Sequence, residues 1–146
     1  MSADKTASVH WTGAGKDGKG EISTETGALN KAPYGFASRF GDDRKATNPE
    51  EILAAAHAAC FAMAFSFACA AEGIQTETVD TSAKVRLAKE GDGFKIDRIA
   101  LTLNAKVPGL SQEQFDKIAA GAKAGCPLSK ALASVPEITL TATLVK

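Results

Sequence analysis

The sequence predicts an α+β fold built around one long apolar helix, and three observations carry that expectation. Residues 52–71 form an alanine-rich apolar run placed directly behind a helix-start signature. Segments before and after it alternate apolar and polar residues with period two, as half-buried strands do. The order strands, long helix, strands, helices, strand separates the two kinds of element instead of alternating them regularly.

Taken in order, Ser8 to Thr24 alternates and is interrupted by the glycine-rich stretch Gly13 to Gly20, which predicts two short strands joined by a turn. Residues 27–40 set Gly27, Asn30, Pro33 and Gly35 among aromatics, which predicts a loop carrying one short strand, followed by the charged segment GDDRK. Asn48 is placed to cap the long helix, Pro49 suits its first position, and Glu51 stands three residues after the cap, where a capping box has its carboxylate. Gly73 ends it. The apolar run is long enough to span a bilayer. Its alanine content and the interruptions at His57 and Ser66 instead suggest a helix wrapped by protein on nearly all sides.

Val79, Thr81, Ala83, Val85 and Leu87 line one face of a strand, and the turn EGDG leads into a second strand from Phe94 to Val107. In that second strand the apolar parity changes between Ile96 and Ile99, which predicts a bulge near Asp97 or Arg98. Ser111 and Gln114 make a capping box for a helix to about Ala124; Gly125 stops it, and Pro127 starts a short helix through Ala133. Ile138, Leu140, Ala142 and Leu144 mark one face of a last strand, Glu137 to Val145. With 146 residues, 45% of them hydrophobic, and no linker or repeat, one domain over 1–146 is expected. A helix apolar on every side needs more cover than one curved sheet of this size gives, and an intertwined homodimer would supply it.

Composition narrows the function. Lys plus Arg and Asp plus Glu are equal at 17 each, and no basic run exists to follow a phosphate backbone or an anionic leaflet, so neither nucleic acid nor membrane is an expected partner. The opening MSADKTASVHW lacks the pattern of a secretory signal, so a cytoplasmic location is expected. Thiols stay reduced there, so three cysteines without a CxxC pair suggest catalysis, metal binding or plain burial.

Taken alone, Cys60 reads as a small buried hydrophobe. Cys126 precedes a proline-initiated helix, where unpaired N–H groups favour a thiolate. Cys69, nine residues beyond Cys60 and half a turn away in azimuth, is assigned to packing. His57, one turn before Cys60, leaves open a Cys–His nucleophile or a zinc site, yet its simplest reading is a satisfied buried histidine.

The segments ATNPEEILAAAHAACF (residues 46–61) and AKAGCPLSKAL (residues 122–132) together resemble the OsmC/Ohr family of peroxide-defence proteins, and HW at 10–11 with STETGALNKAPYGFASRF is closer to the OsmC branch. The resemblance covers essentially the whole chain. It implies an OsmC-like fold, with a long central apolar helix packed against antiparallel sheets, in an intertwined homodimer. It further implies a thiol peroxidase in which Cys60 attacks an organic hydroperoxide, Cys126 resolves the sulfenic acid as a disulfide, Arg39 is the cation near the sulfur and Glu50 holds that arginine. A lipoyl-type dithiol would recycle the disulfide, and no cofactor is expected.

An ordinary thiol, with a pKa of about 8.5, is only a few per cent ionised at neutral pH. Lowering that value by about three units gains roughly thirtyfold in thiolate but loses roughly twentyfold in nucleophilicity. Arg39 is therefore expected to act mainly on the charge developing on the leaving oxygen. Phe61, Met63, Phe65 and Phe67 suggest an apolar approach lined for alkyl hydroperoxides. Glu50 and Cys60 are ten residues apart on one helix, about 15 Å along its axis, so Cys60 of one subunit is expected to meet Arg39 and Glu50 of the other. The competing reading is a non-catalytic stress protein that holds a lipophilic ligand in the same pocket.

Overall fold

In the computed structural model, which describes residues 1–146, the chain opens with β1 (Ala7–Thr12), a 3-10 turn over Gly15–Asp17 and β2 (Lys19–Thr24). β1 and β2 are antiparallel, and β3 (Ala32–Tyr34) adds to the other edge of β2, also antiparallel. Trp11 and Tyr34 pack with ring centroids 5.6 Å apart, over the backbone of Gly18 and Gly20. A Cβ at either glycine would run into those rings, so their lack of a side chain is what seats the aromatics. Where only a loop was anticipated, residues Phe36–Phe40 form a short helix, α1. Its entry is fixed by Ser38, whose hydroxyl accepts from the Gly35 amide at 3.0 Å and donates to the Gly35 carbonyl at 3.1 Å.

The long helix α2 runs from Pro49 to Ala71. The Asn48 side chain accepts from the Glu51 amide at 2.8 Å, as an N-cap should. The capping box is only half made, because the Glu51 carboxylate takes the Thr47 hydroxyl at 2.7 Å instead. At the far end Gly73 adopts φ +74, and the Ile74 amide donates back to the Cys69 carbonyl at 3.0 Å. Compact units divide the chain at the start of this helix, as Met1–Ile52 and Leu53–Lys146.

In the second unit β4 (Thr78–Glu90) and β5 (Gly93–Lys106) form an antiparallel hairpin. Of its two turn residues only Gly91 has positive φ, which is what a type II′ connection needs. Arg86 pairs with Arg98 and Leu87 with Ile96, so Asp97 is the extra residue of the anticipated bulge; its carboxylate receives the Arg86 guanidinium at 2.7 and 3.0 Å. β6 (Glu137–Val145) joins the other edge of β5 in parallel, which makes this sheet mixed rather than wholly antiparallel. A parallel return requires a crossover, supplied by α3 (Gln112–Gly125) and α4 (Pro127–Ala131). α3 opens with the anticipated capping box: the Gln114 amide donates to Ser111 Oγ at 3.2 Å, and Gln114 Oε1 accepts the Ser111 amide at 3.5 Å. Gly125 is still helical. The stop comes at Cys126, which Pro127 holds out of the helical region at ψ 127.

The core of this unit is built from alternate residues of β5 (Ile99, Leu101, Leu103, Ala105), the inner face of α3 (Phe115, Ile118, Ala119, Ala122) and one stripe of α2 (Phe61, Phe65, Cys69). The stripe recurs every four residues, and Phe65 meets Phe115 edge to face at 5.7 Å. The opposite face of α2 is bare, with Met63 59% and Phe67 64% exposed. Within the chain, therefore, α2 is covered along one stripe and not wrapped on nearly all sides.

Candidate active site

α2 presents Cys60, and the break between α3 and α4 presents Cys126. Packing α3 against the α2 stripe brings these residues, 66 positions apart in sequence, to a Sγ–Sγ distance of 2.9 Å, both as free thiols. Cys126 is fully buried and Cys60 half-buried. Burial pushes the Cys60 thiol up, and its contact with Cys126 adds to that; the Leu128 amide works the other way without reversing it. Burial acts on Cys126 in the same sense. There it is outweighed by the Cys60 thiol, the Ser129 and Leu128 amides and the Ser129 hydroxyl, so Cys126 is the sulfur held below its ordinary value.

His57, one turn before Cys60, turns away from solvent and toward α4, where its Nε2 lies 2.8 Å from Ser129 Oγ. Both residues are buried, and His57 Nδ1 has no partner. Burial lowers the imidazole below its ordinary 6.5, which keeps it neutral. The reading of His57 as a satisfied histidine is thus half right. Ser129 escaped the sequence reading altogether; its signal was its place three residues after Cys126, in the first turn of a proline-started helix. Cys69 lies in the core, as its azimuth predicts. No three His, Cys, Asp or Glu side chains converge in a ligating arrangement.

In the first unit Arg39, on α1, grips Glu50 in the first turn of α2. Nη2 donates at 2.7 Å and Nε at 3.2 Å to the carboxylate, and the guanidinium stands 5.3 Å from the Phe40 ring centre. The anticipated apolar cluster divides in two. Phe61 and Phe65 are consumed by the core, whereas Met63 and Phe67 face outward, because residues two apart on a helix point to different sides.

Residues 41–141 match the family model for OsmC-like proteins. The chain belongs to the OsmC-like family. This OsmC-like chain is 49% identical over 140 residues to the peroxiredoxin OsmC of Escherichia coli K12, covering 96% of each chain. It is 35% identical to the organic hydroperoxide resistance protein OhrA of Bacillus subtilis 168, covering 92% of this chain and 93% of the relative. Among solved structures, the organic hydroperoxide resistance protein OsmC of Legionella pneumophila superposes with a TM-score of 0.75 at 29% identity, covering 97% and 98% of the two chains. The α+β architecture of two sheets and four helices is therefore that of OsmC and Ohr proteins.

Proposed function

We propose that this OsmC-like protein reduces organic hydroperoxides to alcohols with Cys60 as the attacking sulfur and Cys126 as the resolving one. That it is a cysteine-based peroxidase of peroxide defence follows from its relatives, a peroxiredoxin and an organic hydroperoxide resistance protein. The observation that carries the finer reading is the 2.9 Å contact between two free thiols from distant segments. In the first step the Cys60 thiolate attacks the O–O bond; sulfur is oxidised to sulfenic acid, and the departing alkoxide takes a proton to become an alcohol. Cys126 then displaces hydroxide from that sulfur, giving a disulfide and water. An external dithiol, of lipoyl type in our reading, reduces the bond by exchange. A reduced cytoplasm suits this cycle.

Within residues 53–146 no cation offsets the burial of Cys60. The guanidinium of Arg39, braced by Glu50, is the group suited to do so and to stabilise the leaving oxygen. Glu50 and Cys60 stand about 15 Å apart along α2, so we assign the Arg39–Glu50 pair at each site to the partner subunit of a homodimer. Of the apolar residues, Met63 is exposed and one turn from Cys60, which makes it the one free to meet an alkyl chain. Phe61 and Phe65 would act only by backing the site.

The test is consumption of cumene hydroperoxide with a dithiol reductant, alongside intact mass after one equivalent of oxidant. Wild type should lose about 2 Da as a Cys60–Cys126 disulfide forms. Cys60→Ser should be inactive, and Cys126→Ser should stall as a trappable sulfenic acid. Consumption by Cys60→Ser at the wild-type rate would mean a non-catalytic ligand-holding protein instead. Mixing Cys60→Ser with Arg39→Ala subunits should restore activity, since one intact shared site forms per hybrid dimer.

A further inference from the structure

His57 and Ser129 have no part in the chemistry described so far, yet each stands three residues from a cysteine of the candidate site. On α2 His57 precedes Cys60 by one turn, and Ser129 follows Cys126 by one turn of α4. The two segments meet in two places. His57 Nε2 lies 2.8 Å from Ser129 Oγ, and the sulfurs of Cys60 and Cys126 lie 2.9 Å apart. The segments therefore run antiparallel, and the polar bond sets the register of the sulfur contact.

Both partners of that bond are buried, His57 at 0% and Ser129 at 9% exposure, so no water is at hand to replace either one. His57 Nδ1 has no partner, and a proton there would be an orphaned buried donor; the N–H belongs on Nε2, and Ser129 Oγ accepts it. Cys126 needs such an anchor. It stands at the break between α3 and α4, outside the helical region, and α4 is five residues long, too short to hold its own place. Leu128 and Leu132 pack only partly against the core. Cys60, by contrast, belongs to a 23-residue helix with a fully buried stripe and is fixed without help.

We propose that His57 and Ser129 are positioning residues, whose buried hydrogen bond clamps α4 onto α2 and keeps the resolving sulfur Cys126 in contact with Cys60. This role rests on the two-cysteine reading above. The step it serves is Cys60 sulfenic acid plus Cys126 thiol giving the disulfide and water. An S–S bond replaces the S–O bond, and the departing hydroxide takes up the thiol proton. Without the clamp, α4 samples positions in which Cys126 is out of reach, and closure falls in proportion to the molecules still in contact. Peroxide attack by Cys60, on its own rigid helix, is untouched.

Titration of the full-length protein against a glutathione redox buffer reads the effective concentration of the two thiols without peroxide, since the dithiol and oxidised glutathione give the protein disulfide and two reduced glutathiones. Ser129→Ala should lower that effective concentration roughly three- to tenfold, the span that a buried neutral hydrogen bond supplies. Ser129→Thr, which keeps the hydroxyl, and His57→Gln, whose amide N–H replaces Nε2–H, should recover most of it. The double variant His57→Leu with Ser129→Ala should fall no further than Ser129→Ala, because the same bond is lost in both. Ser66→Ala, which removes a 3.5 Å hydroxyl contact further along the same helix, should keep the wild-type value. With cumene hydroperoxide, dimedone labelling should show Cys60 of Ser129→Ala oxidised at the wild-type rate, a split that a general structural defect would not produce. An unchanged effective concentration in Ser129→Ala overturns the proposal, as does a fall that neither the threonine nor the glutamine variant recovers. If wild type forms no Cys60–Cys126 disulfide in the buffer, the two-cysteine reading fails and the proposal falls with it.

Discussion

Two sulfurs 2.9 Å apart cannot both be anions in a buried setting, so ionising one raises the other. The reduced pair consequently shares one proton, and the groups around it decide which sulfur is charged. Its surroundings hold Cys126 below its ordinary value, whereas burial pushes Cys60 up. Cys60, in our proposal, gains its counter-charge only from Arg39 of the partner. Replacing Arg39 by lysine keeps the charge but loses the two-pronged grip on Glu50. We expect the rate of peroxide attack to fall by roughly 10²–10³, as for other groups that stabilise developing oxyanions, in stopped-flow assays with cumene hydroperoxide. His57 gives a second residue-level prediction. Its depressed pKa means that the unfolded chain takes up a proton that the folded one refuses, so its stabilising effect is complete above 6.5 and is lost as pH falls. Urea unfolding at pH 7.5 and 5.5 should show wild type losing more stability on acidification than His57→Leu. An equal loss in both would show that the imidazole is not held neutral.

Among the elements, α2 is decisive because it carries Cys60 on a helix whose one stripe of His57, Phe61, Phe65 and Cys69 is fully buried. Phe65 is fully buried against Phe115, and Phe65→Ala should cost about 3–5 kcal/mol in denaturant unfolding. The caps at Asn48 and Ser111, the hairpin turn at Gly91 and the bulge at Asp97 were readable from sequence because each depends on residues within a few positions. Part of what escaped depends on distant partners. No local pattern says that β6 lies parallel to β5. The phenylalanines of residues 61–67 looked like one cluster because composition records their number and not their azimuth. Ser129 stood beside Cys126 in plain sight, but its meaning needed His57, 72 positions away in sequence. α1 was missed because five residues stabilised by the Ser38–Gly35 bonds carry no amphipathic repeat.

At the scale of the whole molecule, the bare face of α2 is the feature that a lone chain leaves unexplained. Met63 and Phe67 add to an apolar surface that a soluble monomer rarely leaves open, which supports the proposed homodimer. Phe67→Asp should therefore convert a wild-type dimer to monomer in sedimentation equilibrium while leaving the circular dichroism spectrum intact. A monomeric wild type would remove the basis for shared sites. One further effect comes from the 66 positions that separate the paired cysteines. Once bonded, they would tie nearly half the chain into a loop, restricting the unfolded ensemble by about 4 kcal/mol. A peroxide-treated sample should then survive trypsin longer than one kept in dithiothreitol. Each turnover would thus pass through a toughened interval, in which the protein is hardest to digest at the moment when oxidant is most abundant.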